Sequence, residues 1–452
     1  MNTNKDIEIR PQEGFQMSFA SSNVDVVFGG GNLGGGKQQP LDSKILTPSG
    51  WQTMGDMQVG SKVMTPFDGI ATVIAVFPQG VKDVYELTTL DGRKCECGLE
   101  HLWTVRTPKQ VHKYRSNNKE WGWTMTLQTK DLIDGLSQGK KYFIPNNKAI
   151  EFGEKELPIP PYVLGVMLGD GCLTIWRNEK GFKISNTEWD IINKVVKLTD
   201  TTRVYEQPSC VTKLFYTPHY KEYKEYLREK CLLDYSYNKF IPEEYLHSSI
   251  EQRKQLLAGL FDTDGSVEPY DNSYRFSTTS ERLKDTFIEL CRSLGYSCTV
   301  SIDGREWKYT KGVAYKIVIR TDDIIFTSEK HKARYNNERN KTRKYARSND
   351  HSRIVSIKKV RRAECQCILV DDEKHLYITD DYITTHNSYG LVLAMAEPLM
   401  TDPDFRAMIS RRSLGNQKAG GGFVEKFKQI FGADFVKIRE SENPRVTFPN
   451  GT

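Results

Sequence analysis

The sequence contains no run of about 18 apolar residues, so it offers no membrane-spanning helix. Its first ten residues, MNTNKDIEIR, contain no apolar core of the kind found in a signal peptide. Cysteine is scarce, with nine in 452 residues, which argues against a dense disulfide framework and fits a reducing compartment. We therefore expect a cytoplasmic protein that has no membrane partner.

Charge is present in both signs but is unevenly distributed. Charged residues make up 27% of the chain and hydrophobic residues 38%, and the net charge is only +6. Residues 329–362, however, carry thirteen Lys or Arg against three Asp or Glu. Such a tract fits a nucleic-acid contact and a solvated linker equally well. The length predicts two to four domains.

The stretch GNLGGGKQQ, residues 31–39, departs from a phosphate-binding loop at one position. The pattern G-x-x-x-x-G-K-[ST] needs a hydroxyl after its lysine, and Gln38 supplies none. Joining Lys37 directly to Ser388 gives GNLGGGKSYGLVLAM, which restores the motif between an apolar strand and an apolar helical pattern. The sequence therefore predicts that residues 38–387 are an insertion. After its removal, ATP and Mg²⁺ would be bound by Gly31, Gly36, Lys37 and Ser388.

Both ends of the insertion resemble an intein, a segment that excises itself and joins its flanks. It opens QQPLDSKILTPSGWQTMGDMQVG and ends LYITDDYITTHN. The resemblance implies an all-β splicing domain of the Hint type, formed by residues 38–155 and 345–387. Two strand pairs around Asp-Gly turns, at residues 68–69 and 91–92, support this fold.

Most inteins begin with a Cys or Ser nucleophile, whereas this segment begins with Gln38. Three matches identify it as a member of the class 3 inteins, in which an internal cysteine attacks instead: Trp103 in CGLEHLWTV, Cys367 in CQCILVDD, and Thr385 before the terminal His-Asn. One departure is Gly98, where many inteins carry Thr, and we assign no role to it.

The resemblance implies a splicing reaction that uses side chains alone, without ATP or a metal. The roles are Cys367 as nucleophile on the Lys37 carbonyl, His101 as proton donor, Ser388 as acyl acceptor, Asn387 as the residue that cyclises, His386 as its assistant, and Trp103 and Thr385 as signature partners.

Each of these residues also has a structural interpretation. Trp103 and Thr385 suit the interior of a strand. The pairs Cys95/Cys97 and Cys365/Cys367 suit packing on one strand face, or a zinc site with unusually close spacing. We favour splicing because the junction residues and the restored loop agree independently.

Two further stretches repeat each other, YVLGVMLGDGCL from residue 162 and LLAGLFDTDGSV from residue 256. The second resembles the LAGLIDADG homing endonucleases, which implies an α+β domain over residues 156–344 that cuts double-stranded DNA at the insertion point of the host gene. Gly165, Ala258 and Gly259 suit the close approach of two helices. The resemblance implies that Asp170 and Asp264 bind Mg²⁺ and cut the DNA. Lys183 and Lys316 are weaker candidates for catalytic lysines.

The flanks, residues 1–37 and 388–452, resemble the N-terminal ATPase region of phage terminase large subunits. The glycine-rich loop, the Arg-Arg pair at 411–412 and the ending FPNGT carry this resemblance. It implies a partial α/β P-loop ATPase, the phage packaging machinery as partner and the cytoplasm of a bacterial host. No acidic strand of the Walker B type is present, so we expect these flanks to form a truncated ATPase.

Three functions remain open. The first is a self-splicing intein with an active endonuclease. The second is an endonuclease that has lost splicing, with Gln38 as the trace of that loss. The third is a P-loop ATPase with a regulatory insert, which is weakened by the missing hydroxyl after Lys37.

Overall fold

The computed structural model describes residues 26–29, 38–67, 69–116, 124–174, 181–206, 211–268, 273–303, 313–335, 350–372, 374–386, 407–410, 437–439 and 445–447. The helices are α1 Pro108–Ser116, α2 Thr129–Ser137, α3 Pro161–Gly169, α4 Trp189–Leu198, α5 Tyr220–Glu229, α6 Glu243–Leu246, α7 Ile250–Asp264, α8 Glu281–Ser293 and α9 Glu329–Arg334. The strands are β1 Val26–Gly29, β2 Gln39–Pro40, β3 Lys44–Thr47, β4 Gly50–Thr53, β5 Lys62–Thr65, β6 Gly69–Thr89, β7 Lys94–Gly98, β8 Leu102–Val105, β9 Met125–Gln128, β10 Phe143–Pro145, β11 Gly171–Cys172, β12 Phe182–Ser185, β13 Arg203–Glu206, β14 Thr212–Tyr216, β15 Gly265–Val267, β16 Tyr274–Thr278, β17 Ser297–Asp303, β18 Ala314–Arg320, β19 His351–Val370, β20 Leu376–Thr379, β21 Ile383–His386, β22 Ala407–Ser410, β23 Lys437–Arg439 and β24 Arg445–Thr447.

The two ends of the predicted insertion fold together, and we call residues 38–155 with 350–386 the β-rich part. Its centre is the antiparallel pairing of the long strands β6 and β19, which runs from Ile354 opposite Thr89 to Val370 opposite Val73. β6 also pairs with β5 and β7, which confirms the two predicted strand pairs. A second sheet has the order β4-β3-β20-β21-β8-β9.

Apolar side chains from both sheets form the core of the β-rich part. One cluster joins Ile45 of β3 to Val63, Val73 and Ile368 of the other sheet. The prediction of an all-β fold is wrong in one respect, because α1 and α2 also lie here. α2 begins with a capping box of Gln128 and Asp131, a local signal that the strand pattern on either side obscured.

The central part, residues 156–335, contains the repeat seen in the sequence. Its two four-stranded antiparallel sheets have equivalent orders, β11-β12-β14-β13 and β15-β16-β18-β17. Each sheet follows one of the helices α3 and α7, which pack side by side. A Cβ on Gly165 would lie 2.4 Å from the Leu256 carbonyl oxygen, and one on Gly259 would lie 2.2 Å from that of Tyr162. The predicted close approach of these helices at glycine is therefore confirmed.

The described residues of the basic tract belong mainly to two elements. Residues 329–334 form α9, and residues 351–362 belong to β19, where several of the charges are paired. Lys359 contacts Asp83, and Arg361 contacts both Asp42 and Glu96. This end of the tract therefore leads back into the β-rich part.

The flanking sequences contribute β1 and β22, which pair in parallel with Val26 opposite Ala407. The loop residues Gly31, Gly36 and Lys37 lie outside the described residues, as do Asn387 and Ser388. Within the described ranges, every helix is too short or too polar to cross a membrane.

Candidate functional site

The first residues of the insertion lie beside β19, the strand that carries Cys367. β2 pairs with β19 in an antiparallel register, with Gln39 opposite Gln366 and Pro40 opposite Cys365. Continuing this register by one residue brings Cys367 level with Gln38. Opposite residues in such a pair have Cα atoms about 5 Å apart. This extrapolated register places Cys367 opposite Gln38, while Cys95 lies on the other side and accepts a 3.4 Å hydrogen bond from Gln39 Nε2.

The neighbouring cysteines on these strands are buried thiols with raised pKa values. Burial raises the pKa of the Cys97 thiol to about 12 and that of Cys365 to about 11. Burial also raises the pKa of Cys95 well above its ordinary value. A thiol must lose its proton to become a strong nucleophile, so burial lowers the reactivity of these thiols. Cys367 is equally buried, and its assignment as nucleophile rests on its place along β19.

The zinc alternative finds no support in the described ranges. No group of three or more His, Cys, Asp or Glu side chains is arranged there to hold a metal ion. The four strand cysteines are buried and form no disulfide. Cys97 instead contacts the Thr129 hydroxyl, with 3.4 Å between Sγ and Oγ1.

The predicted residues His101, Trp103 and Thr385 form one buried cluster. The Nε2 of His101 and the Oγ1 of Thr385 lie 2.5 Å apart, and the rings of His101 and Trp103 lie 4.8 Å apart. Trp103 donates a 3.1 Å hydrogen bond from Nε1 to Thr129 Oγ1. Thr129 was missed by the sequence analysis, since it begins a helix that the analysis did not predict.

This cluster is linked to the junction through Gly98. The Gly98 N–H donates to the Gln38 carbonyl at 2.9 Å, and the Gly98 carbonyl accepts from the His101 N–H at 3.1 Å. At the other end of the insertion, His386 pairs with Leu376 and Leu102 in the second sheet. The two ends of the insertion thus lie against one turn, residues 98–101.

A second group of polar residues lies at the paired helix ends of the central part. Asp170 caps α3, and Asp264 is the last residue of α7. A Cβ on Gly169 would lie 3.3 Å from Asp264 Oδ2, so the Asp264 carboxyl rests against the residue before Asp170. Asn186 donates a 2.6 Å hydrogen bond to Asp170.

Burial and mutual repulsion govern the charge of these two acids. Burial raises the pKa of Asp264 to about 7, and the neighbouring carboxylate of Asp170 adds to the shift. Burial also raises the pKa of Asp170, although the hydrogen bond from Asn186 partly offsets this by lowering the same pKa. Two neighbouring carboxyl groups repel each other when both are charged, and a divalent cation bound by both would relieve this repulsion.

Lys239, which the sequence patterns did not single out, lies beside these two acids. Its ammonium group is buried and donates to the carbonyl oxygens of Gly169 and Gly171, each at 2.9 Å. Its positive charge acts on both Asp170 and Asp264, and burial lowers its own pKa. Lys183 and Lys316 lie on β12 and β18, and their catalytic role stays a prediction.

Comparison with known proteins supports a coarse assignment. Residues 240–346 match the homing endonuclease family. The chain is 29% identical to the replicative DNA helicase DnaB of Mycobacterium intracellulare over 78% of its own length, and it spans 59% of that relative.

Two solved structures are also similar. The MchDnaB-1 intein is 10% identical and is matched over 77% of this chain and 99% of its own, with a TM-score of 0.24. I-DmoI in complex with DNA and Ca is 13% identical and is matched over 39% and 96%, with a TM-score of 0.26. Residues 240–346 therefore resemble a homing endonuclease domain.

Proposed function

We propose that this chain is a precursor that excises residues 38–387 by class 3 protein splicing and joins Lys37 to Ser388. One observation carries the proposal. Gln39 pairs with Gln366 and Pro40 with Cys365, and the same register continued by one residue would set Cys367 opposite Gln38, whose amide must leave. The cluster of His101, Trp103 and Thr385 supports the same assignment.

The reaction proceeds by acyl transfers that conserve every atom. The Sγ of Cys367 attacks the Lys37 carbonyl carbon, the bond to the Gln38 nitrogen breaks, and the leaving amine takes a proton. We assign this proton transfer to His101, because histidine exchanges protons near neutral pH and the His101 backbone binds Gly98, which in turn contacts Gln38. The product is a thioester between Lys37 and Cys367.

Three further steps complete the reaction, and the second of them releases the insertion. Ser388 Oγ attacks the thioester and returns the thiol of Cys367. The side-chain nitrogen of Asn387 then attacks its own carbonyl carbon, which frees the amino group of Ser388 and leaves a cyclic imide. That amino group finally attacks the ester on its own side chain to form the peptide bond.

Mass spectrometry after expression tests this proposal. Wild-type chain should yield the excised segment and the joined flanks, whereas Cys367→Ala should remain unjoined, with a rate loss of at least ~1,000-fold. Cys365→Ala is the matched control, because it removes a buried thiol from the same strand and should leave splicing within about threefold of wild type. Splicing that survives Cys367→Ala would overturn the assignment of the nucleophile.

We propose further that the central part acts as a LAGLIDADG-type endonuclease with Asp170 and Asp264 at its two active positions. These acids would hold the divalent metal, Mg²⁺ in this proposal, which supplies charge neutralisation and an activated water when bound. Lys239 fixes the end of α3 through two carbonyl groups and so fixes Asp170. Asn186 holds the Asp170 carboxyl at its other side.

DNA cleavage tests this second activity. A linear duplex that encodes Lys37 joined to Ser388 should be cut on both strands in Mg²⁺, and Asp264→Asn should reduce the rate by at least ~1,000-fold. Asp285→Asn, on the exposed surface of α8, is the control and should cut normally. Wild-type protein that leaves this duplex intact would refute the proposed target.

The joined flanks would complete the P-loop of a terminase-type ATPase that serves phage packaging in a bacterial host. The parallel pairing of β1 with β22 supports an α/β arrangement of these flanks. Because the flanks form a truncated ATPase, calorimetric titration with Mg²⁺-ATP should detect weak binding by the joined product and none by the Cys367→Ala precursor. Equal binding by both would contradict the proposal.

A further inference from the structure

The side chain of Gln39, the second residue of the insertion, is fully buried and held on both sides of its amide. Tyr377 donates a 2.7 Å hydrogen bond from its hydroxyl to Gln39 Oε1. Gln39 Nε2 donates to Thr379 Oγ1 at 2.8 Å. Because a buried amide is costly unless its hydrogen bonds are made, these contacts fix the side chain in one position.

Gln38 is held at a second point, by Gly98. The Gly98 N–H binds the Gln38 carbonyl, and the Gln38 side chain lies over the face where Gly98 lacks a Cβ. A Cβ there would lie 2.4 Å from Gln38 Nε2 and 2.6 Å from its Cδ. Position 98 therefore has room for glycine alone while Gln38 keeps this position.

We propose that Gly98, Tyr377 and Thr379 are positioning residues for cleavage of the Lys37–Gln38 bond. Gly98 contacts the carbonyl and the side chain of Gln38, and Tyr377 and Thr379 hold the side chain of Gln39. These contacts would set the direction in which the Lys37 carbonyl carbon faces Cys367. The proposal rests on the splicing function proposed above. Its physical basis is that a displacement of about 1 Å between reacting groups can slow a reaction ~100-fold.

The proposal also explains why position 98 departs from the threonine found in many inteins. A longer side chain at position 98 and a long first residue compete for the same space. In this chain the first residue is Gln38, which is large and does not react, and it takes that space. Gly98 and Gln38 are therefore a matched pair.

The first test uses Tyr377→Phe, which keeps the ring in the core and removes the hydroxyl alone. In an Asn387→Ala background, release of residues 1–37 by dithiothreitol reports the attack of Cys367. We expect that release to slow 10- to 100-fold. In a Cys367→Ala background, cleavage after Asn387 should keep its rate. Equal slowing of both cleavages would indicate a merely structural role and overturn the proposal, as would an unchanged release.

The second test is a rescue. Gly98→Ala should slow the thiol-dependent release about tenfold, and adding Gln38→Ala should restore it, because the atoms that meet the new Cβ are then gone. Gln38→Ala alone is the control. A double variant as slow as Gly98→Ala would refute the matched pair.

These outcomes are separable from failure of the splicing function itself. The splicing proposal itself fails if dithiothreitol releases nothing from the Asn387→Ala chain. It also fails if dithiothreitol still releases residues 1–37 after Cys367→Ala is added. DNA cleavage by the central part shows that each variant is folded.

Discussion

At the scale of single residues, Asp380 is a buried carboxyl that costs the fold stability at neutral pH. Burial raises its pKa to about 6, and the nearby negative charge of Asp381 adds to the effect, against the N–H of Lys44. A carboxyl with a raised pKa stabilises the folded state below its ordinary pKa, and this contribution is lost as the pH rises through about 6.

Asp380→Asn should therefore stabilise the protein at pH 7.5 by roughly 2 kcal/mol and have little effect at pH 4. The amide keeps an oxygen that can accept from Lys44, at 3.0 Å in the parent. Urea denaturation at several pH values, in a Cys367→Ala background that stops splicing, measures the difference. The exposed Asp285→Asn is the control, and an equal gain at both pH values would contradict the assignment.

How far single residues could be predicted depended on where their partners lie. His101, Trp103 and Thr385 were found because each stands at a fixed distance from a recognisable end or motif, and the structure brings them together. Lys239 could not be found in this way. Lys239 reaches the carbonyl oxygens of Gly169 and Gly171 because its loop packs against the end of α3. The local sequence pattern contains no signal for such a contact between distant segments.

At the scale of elements, the closest contact in the central part is the pair of helices α3 and α7. Gly259 faces backbone atoms alone, with the Tyr162 carbonyl oxygen at 2.2 Å and the Val166 nitrogen at 3.0 Å from the position of a Cβ. Backbone cannot rotate away as a side chain can. The spacing of the helices, and with it the spacing of Asp170 and Asp264, depends on this glycine.

Gly259→Ala should thus cost about 3 kcal/mol of unfolding free energy, although alanine favours helices. DNA cleavage should fall with it, since the two acids move apart. Lys254→Ala on the exposed side of α7 should change the stability by less than about 0.5 kcal/mol. Denaturation and cleavage assays on the same samples decide the matter, and a stable, active Gly259→Ala would show that the helices can separate without loss.

The elements themselves were only partly predictable. The strand pairs β5–β6 and β6–β7 followed from Asp-Gly turns, and Gly92 does have a positive φ of 80°. No local pattern indicated that β6 and β19 continue over about twenty residues through four register irregularities. The length of these two strands depends on their pairing with each other across the chain, because the sequence pattern of either strand alone would predict an end at its polar residues.

At the scale of the whole molecule, the β-rich part and the central part meet through hydrogen bonds. Arg292 forms an ion pair with Asp381 at 2.7 Å, and Trp51 donates to Glu289 at 2.7 Å. The repeat and the junction motifs predicted two parts, but they carried no information about this interface. The residues of this interface lie on helices and strands whose apolar periodicity indicates only which side chains face the core of their own part.

Arg253 is a fully buried charged residue at this interface. It lies on α7 and donates to Ser248 at 2.8 Å, to Ser293 at 2.6 Å and to the carbonyl of Ile150, which belongs to the β-rich part. Burial lowers its pKa to about 10, so it remains charged at neutral pH. A buried cation with its acceptors in both parts should make the two parts unfold together.

Arg253→Met keeps most of the volume and removes every donor. Three buried acceptors then lack their partner, which should cost about 3 kcal/mol. We expect wild-type chain, again in the Cys367→Ala background, to unfold in one calorimetric transition and Arg253→Met to unfold in two. Lys254→Met, at the next position and with its ammonium group on the surface, should keep the single transition. If Arg253→Met also keeps one transition, the two parts are coupled through Arg292 and Trp51 instead, and the same measurement on Arg292→Met would then have to separate them.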